Sequence, residues 1–294
     1  GVRPLSLGRL KDGGYIVASE TCAFDLVGAS FVRDVEPGEV VFINQEGVRS
    51  LPPSQWCRKS LCVFELIYFA RPDSVLDGIS VYDFRRRCGR LLAHQRKIEA
   101  DLVMAVPDSG IPAAIGYAEA SGINYGEGLI KNKYIGRTFI QPTQEMRETA
   151  VHIKLSPIRS NIEGKRLIVV DDSIVRGTTS RRIVRLLRAG GAREVHLVIS
   201  SPPVCYSCYF GIDTPYREKL IAVQKTQQEI LEYIGADSLT YLSDACLSEA
   251  CGHQDLYCRA CFDGNYPMEV PATARPAGFF KESGPTGFAA DMEA

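Results

Sequence analysis

The stretch from Leu167 to Gly191, LIVVDDSIVRGTTSRRIVRLLRAGG, constrains this chain more than any other. Four consecutive apolar residues, Leu167 to Val170, have the pattern of a strand buried on both faces. They run straight into two adjacent carboxylates, Asp171 and Asp172, followed by Ser173, Ile174, Val175, Arg176, Gly177, Thr178 and Thr179. A helix pattern then carries Ile183, Val184 and Leu187 on one side and stops at Gly190-Gly191. Gly177 permits a tight turn. Hydroxyls, free N–H groups and the positive helix end therefore converge at the carboxyl edge of the strand, an arrangement that binds phosphate. Two carboxylates would repel a phosphate, so they must serve another purpose. They can accept hydrogen bonds from neighbouring ribose hydroxyls and orient the hydration shell of a Mg²⁺ carried by a pyrophosphate. A phosphorylated sugar satisfies both halves; a strand ending in a solvated acidic turn is the plainer alternative for two acids followed by a glycine.

The flanking segments repeat the rhythm. Leu102 to Val106 reads as a strand, Ile111 to Ala120 as a helix closed by Gly122, Asn124 to Ile130 as another strand region, and Val195 to Ile199 as the strand after the central helix. The fold class is α/β, a parallel sheet with right-handed crossovers flanked by helices. Ligands in such sheets bind outside the carboxyl ends of the strands, so Val106-Pro107-Asp108-Ser109-Gly110 and the Asp171–Thr179 loop share one cleft. Between them Lys131 to Pro157 is polar and basic, with Lys131, Lys133, Arg137, Arg147 and Lys154. Beside a phosphate loop this reads as a lid over an anionic ligand.

Elsewhere, residues 1 to about 50 hold short β-like runs, Tyr15 to Ala18, Phe31 to Arg33 and Val40 to Asn44, too little for an independent core. Residues 51 to 60, with Pro52-Pro53, read as a linker, and Val81 to about Lys97 as a helix. Residues 217 to 234 read as helical, Leu239 to Leu242 as a short strand, and residues 271 to 294 as a disordered tail. The 34 basic and 35 acidic residues nearly cancel, which gives no general grip on nucleic acid or an anionic membrane. No apolar run reaches the length of a membrane span and no signal-peptide core is present, so the chain reads as cytoplasmic.

Ten cysteines in such an enzyme are expected to stay reduced, and their clustering then suggests metal. Cys205/Cys208 and Cys258/Cys261 are each C-x₂-C, and by spacing alone they resemble a four-thiolate zinc site. Some of Cys22, Cys57, Cys88, Cys246 and Cys251 are expected to be buried small hydrophobes.

The strings VRPLSLGRL, ASETCAFD, VRDVEPGEV, FELIYFARPDS, KNKYIGRTFIQP, VVDDSIVRGTTSRR, SSPPVCYSCYFGID, IGADSL and CRACFDGNYP, over residues 1 to about 270, together resemble glutamine 5-phosphoribosyl 1-pyrophosphate (PRPP) amidotransferases of the iron–sulfur, Bacillus-like type. The resemblance implies a type I phosphoribosyltransferase fold over 51–270, preceded over 1–50 by the β-rich end of an N-terminal-nucleophile glutaminase domain. It implies the first committed step of purine synthesis, in which ammonia from glutamine displaces pyrophosphate from PRPP to give 5-phosphoribosylamine. It assigns Asp171, Asp172 and the Ser173–Thr179 loop to PRPP, Mg²⁺ to Ser109, Asp171 and Asp172, and pyrophosphate charge to Lys133 and Arg137. It also implies a [4Fe–4S] cluster on Cys62, Cys208, Cys258 and Cys261, in which Cys205 takes no part. A homotetramer and feedback by purine nucleotides follow from the same resemblance.

The family's glutaminase begins with a catalytic cysteine, and this sequence begins with Gly1, so a truncated product limited to free ammonia is expected. A PRPP-sensing regulator without catalysis would need a DNA-binding module, and a salvage phosphoribosyltransferase would leave the cysteines unexplained.

Overall fold

The computed structural model describes residues 1–52, 57–132, 155–214, 216–252, 256–271 and 274. At its centre four parallel strands stand in the order β14-β13-β12-β9: β9 is Leu102–Ala105, β12 Arg166–Asp171, β13 Glu194–Ile199 and β14 Ser238–Tyr241. Apart from Arg166, β12 is wholly buried, as its unbroken apolar run requires of a strand covered on both faces. One face packs on α2 (Val81–Gln95) and α3 (Ile111–Ser121) through Phe84, Cys88, Leu92, Ala113 and Tyr117. The other packs on α5 (Thr178–Ala189) and α7 (Gln227–Ile234) through Ile183, Val184, Leu187, Ile230 and Ile234.

Helices α2 and α3 cross at backbone contact. A Cβ on Gly89 would stand 1.8 Å from the Ala113 carbonyl oxygen, and one on Gly116 2.0 Å from that of Arg86. This close crossing packs α2 tightly against α3 on one face of the sheet.

The N-terminal unit is antiparallel. β1 (Ser6–Arg9) lies between β2 (Tyr15–Ala18) and β3 (Ser30–Asp34), with α1 (Cys22–Val27) between β2 and β3, and β4 (Val40–Asn44) pairs β5 (Gly47–Leu51) as a hairpin. Its buried apolar side chains are Leu7, Cys22 and Phe24, a core as small as its length allows. It docks on the following segment: Glu20 accepts hydrogen bonds from the Arg71 amide (2.7 Å) and the Ser74 hydroxyl (2.8 Å), and Thr21 accepts one from the Val75 amide (2.8 Å). The segment itself contains β6 (Leu61–Cys62), a π-turn over Glu65–Phe69, and the small hairpin of β7 (Val75–Leu76) and β8 (Ile79–Ser80).

One sequence expectation needs correction and one needs refinement. The Asn124–Ile130 region is not a strand of the main sheet: Tyr125 makes a single bridge to Val103, and β10 (Leu129–Lys131) turns away to pair antiparallel with β11 (Leu155–Pro157), which precedes the short helix α4 (Arg159–Ile162). Residues 217–234 are largely helical, as expected, but in three pieces. A 3₁₀ turn at Arg217–Lys219, α6 (Ile221–Gln224) and α7 are separated because Leu220 is extended and fully buried, and because Thr226 starts α7 afresh with a capping box to Glu229. Helix α8 (Asp244–Cys251) packs on α2, and β15 (Tyr257–Cys258) with α9 (Ala260–Asp263) returns the chain to β6. The expected tail lies almost wholly outside the described residues.

Candidate functional site

Strand β12 extends one residue beyond its apolar run, so Asp171 ends the strand and Asp172 opens the loop. Alternation along the strand makes the two acids inequivalent. Asp171 stands in register with Ile199 on the α5/α7 face, and its Oδ1 accepts the Asp172 amide at 3.0 Å. Asp172 accepts the Ser109 hydroxyl on Oδ2 and the Ser173 hydroxyl on Oδ1, the latter at 2.6 Å. Both acids are 7% exposed. Burial pushes the Asp171 carboxyl well above the usual range, and the neighbouring Asp172 charge adds to this. Burial also raises Asp172, against the opposing pull of the Ser109 and Ser173 hydroxyls and the Arg85 guanidinium.

Ser109 is carried by the loop from β9 to α3, which the Val106 N–H ties to the Val170 carbonyl at 2.8 Å. The two expected loops thus share one edge and touch at Ser109 and Asp172. Asp108, on the same loop, is ion-paired with Lys131 at the end of β10. Lys133 and Arg137 lie outside the described residues.

The loop Ser173–Thr179 hangs from Ile174, which is 2% exposed, and from Val175, whose carbonyl accepts the Ile221 amide at 2.9 Å. Gly177 has φ of 72°, and a Cβ there would lie 2.6 Å from Ile221 Cδ1. No side chain caps α5 at Gly177, so its first N–H groups are free to meet an anion, with the exposed Arg176, Thr178 and Thr179 around them.

The cysteines form a second constellation. Parallel pairing of β6 with β15 sets Cys62 directly opposite Cys258. The Cys205 and Tyr206 amides both donate to the Cys261 carbonyl, at 2.9 and 3.0 Å, drawing the 205–208 loop onto the 258–261 turn. Burial raises the Cys62, Cys258 and Cys261 thiols, with Cys62 pushed up to about 12, and the Cys208 sulfur acts on all three. Backbone N–H groups point at their sulfurs, including Phe210 N to Cys208 Sγ at 3.3 Å. Burial raises the Cys205 thiol, and Arg217 and Asp244 are the charges that act on it. All ten cysteines are free thiols.

Among the described residues no group of three or more His, Cys, Asp or Glu converges tightly enough to grip a single metal ion. The acids still offer what a substrate-borne Mg²⁺ needs, because such an ion takes one or two protein carboxylates and completes its shell with phosphate and water. Cys62 opposite Cys258, with the 205–208 loop bonded to the 258–261 turn, supplies thiols of the kind that hold an iron–sulfur cluster.

Sequence reasoning missed Arg85, which is 2% exposed and acts on Asp172. Its signal was its position: with Val81, Phe84, Cys88 and Leu92 it falls on the apolar stripe of α2. Among the described residues no helix is long and apolar enough to cross a membrane.

A phosphoribosyl transferase domain model matches residues 83–201. The chain is 53% identical over 289 residues to an amidophosphoribosyltransferase of Synechocystis sp., covering 96% of this chain and 58% of that protein. It is 55% identical over 275 residues to the Bacillus subtilis amidophosphoribosyltransferase, covering 92% and 58%. The solved B. subtilis glutamine PRPP amidotransferase, complexed with ADP and GMP, superimposes with a TM-score of 0.88 at 53% identity, over 95% of this chain and 62% of that one. The chain spans a little under three-fifths of these curated relatives. The parallel sheet, the acid pair and the glycine loop all fall within this likeness, so the chain is similar over nearly its whole length to part of an amidophosphoribosyltransferase.

Proposed function

We propose that this chain carries the PRPP-handling half of an amidophosphoribosyltransferase, forming 5-phosphoribosylamine and pyrophosphate from PRPP and ammonia, with glutamine as the ammonia source in the whole enzyme. The observation that supports this most is the contact of Ser109 with Asp172, which joins a pyrophosphate-side loop to the acid pair at the mouth of the phosphate loop. In this reading Ser173, Ile174, Val175, Arg176, Gly177, Thr178 and Thr179 hold the 5-phosphate, with the N–H groups of α5 opposite its charge. Asp171 and Asp172 accept the ribose hydroxyls and, with Ser109, hold Mg²⁺. When bound, that ion neutralises charge on the departing pyrophosphate.

The nitrogen–C1 bond forms as the C1–oxygen bond breaks; pyrophosphate leaves with the electron pair, and the ammonium formed loses a proton to solvent. The sugar is oxocarbenium-like on the way, so fixed charges around the leaving group matter more than a strong base. Lys133 and Arg137 are proposed to reach that charge from the lid and to keep water from C1.

Cys62, Cys208, Cys258 and Cys261 would hold a [4Fe–4S] cluster. Its contribution is structural, tying β6 to the C-terminal turn, since the displacement moves no net electrons between redox centres. Residues 1–50 are read as the end of a glutaminase domain and 51–270 as the phosphoribosyltransferase domain. Feedback by purine nucleotides is read onto the same phosphate loop, in line with the ADP and GMP in the B. subtilis structure. Homo-oligomeric assembly and a cytoplasmic setting belong to the same reading, and the free thiols agree with a reducing compartment.

The test is pyrophosphate release from PRPP and Mg²⁺ by anaerobically purified chain, with ammonium or glutamine as donor. Ammonium-dependent release, lowered roughly 100-fold in Asp171→Ala, is the expected result. Folded chain that binds PRPP but releases nothing with either donor overturns the catalytic reading.

A further inference from the structure

The phosphate loop turns at Gly177 against two side chains. A Cβ on Gly177 would stand 2.6 Å from Ile221 Cδ1, and 3.3 and 3.6 Å from Cε1 and Cδ1 of Tyr233. Ile221 opens α6 and donates its amide to the Val175 carbonyl at 2.9 Å, so it is part of the anchor already described. Tyr233 is a separate support. It comes from α7, and one edge of its ring lies against the residue whose φ of 72° sets the course of the loop.

Tyr233 is held in turn by the helix that the loop opens. The guanidinium carbon of Arg181 lies over its ring, 4.7 Å from the centre and well inside cation–π range. Arg181 stands in the first turn of α5, where its amide donates to the Gly177 carbonyl at 3.0 Å. Three contacts therefore close a circuit: Gly177 to Arg181 through the helix backbone, Arg181 to Tyr233 over the ring, and the ring edge back to Gly177. Arg181 and Tyr233 are both half-buried, and both line a groove of about 280 Å³ between α5 and α7. Truncating either side chain widens an open groove and removes nothing from the fully buried layer of Ile183, Val184, Leu187, Ile230 and Ile234.

We propose that Tyr233, clasped by Arg181, is a positioning residue for the phosphate loop: its ring backs Gly177 and holds the first amides of α5 where the 5-phosphate of PRPP meets them. The proposal rests on the reading of Ser173–Thr179 as the 5-phosphate loop. Its consequence is selective. A loop loosened at Gly177 loses its grip on the 5-phosphate, while Ser109 and Asp172, on the pyrophosphate side, keep their own hydrogen bond. The contacts use the ring and not the hydroxyl, so phenylalanine should serve in its place.

The test measures by calorimetry the Kd of PRPP and of inorganic pyrophosphate, each with Mg²⁺, in the chain and in Tyr233→Ala, Tyr233→Phe and Arg181→Gln, with KM and kcat for ammonium-dependent pyrophosphate release and thermal melting beside them. Tyr233→Ala is expected to weaken PRPP about tenfold, to raise KM more than it lowers kcat, and to leave the pyrophosphate Kd unchanged. Tyr233→Phe keeps the parental PRPP affinity, and Arg181→Gln weakens PRPP about threefold, since the ring stays but loses its clasp. A folded Tyr233→Ala with the parental PRPP Kd overturns the proposal. So does equal weakening of PRPP and pyrophosphate, which marks general damage, or a Tyr233→Phe as weak as the alanine variant. If Tyr233→Ala fails to fold, Tyr233→Leu and Arg181→Gln decide, and parental PRPP affinity in both overturns it. A parental chain that binds no PRPP overturns the site reading instead, and that result shows before any variant is compared.

Discussion

Ser109 donates its hydroxyl hydrogen to Oδ2 of Asp172, joining two loops 63 residues apart at the carboxyl edge of the sheet. The bond orients the acid that opens the phosphate loop. Ser109→Ala is expected to raise KM for PRPP about tenfold, and to cost about 1 kcal/mol of stability, as loss of a hydrogen bond to a buried carboxylate does. Steady-state kinetics at saturating Mg²⁺ and urea unfolding check the two effects.

Gly177 cannot be replaced without moving its neighbours. Its φ of 72° disfavours any side chain, and an alanine methyl would strike Ile221. Gly177→Ala should lower stability by about 1–2 kcal/mol and abolish measurable PRPP binding. Calorimetric titration beside a melting curve separates loss of the loop from loss of the fold.

The cysteines divide sharply. Anaerobic purification of Cys62→Ser should give protein with little iron, while Cys205→Ser should keep the parental iron content, because the proposed ligand set takes Cys62 and leaves out Cys205. Iron and sulfide analysis reads the outcome. Iron kept by Cys62→Ser and lost from Cys205→Ser would restore the spacing-based set.

The N-terminal unit carries an acid-sensitive contact. Arg33 hydrogen bonds hold the Glu39 carboxyl at about 2 against an ordinary 4.5. A carboxyl depressed on folding stabilises the protein above its unfolded value, and that contribution fades as pH falls from 4.5 towards 2. The difference in melting temperature between the parent and Glu39→Gln should therefore be largest above pH 4.5 and shrink steadily below it. A difference independent of pH would show that the depressed carboxyl is not its source.

Tyr241 ends β14 with a buried hydroxyl that has no hydrogen-bond partner among the described residues. Removing an unsatisfied buried group should help, so Tyr241→Phe is expected to raise stability by about 1 kcal/mol in denaturant unfolding.

Strand β12, its loop and α5 were legible because their periodicities and glycines are local. The acid pair was visible, but its division between two faces was not, since that depends on the strand running one residue past its apolar run. Arg85 was hidden inside Arg85-Arg86-Arg87, which looks like a solvated charge run, although the helical stripe places only its first member inward. The break at Leu220 escaped notice because an isolated leucine carries no helix-stop signal, while the Thr226/Glu229 capping box was there to be read. The grouping of Cys62 with Cys258 comes from a pairing of two-residue strands, too short to leave any pattern.

That pairing also sets an order of events during synthesis. Leu61 and Cys62 leave the ribosome before the parallel sheet exists, and their partners Tyr257 and Cys258 follow only after every strand of that sheet has been made. Until then β6 is an open edge and Cys62 a solitary thiol. The closing contact thus waits for the whole sheet to be made and spans a long stretch of chain, so it is a step at which a nascent molecule is exposed to oxidation or to a wrong neighbour.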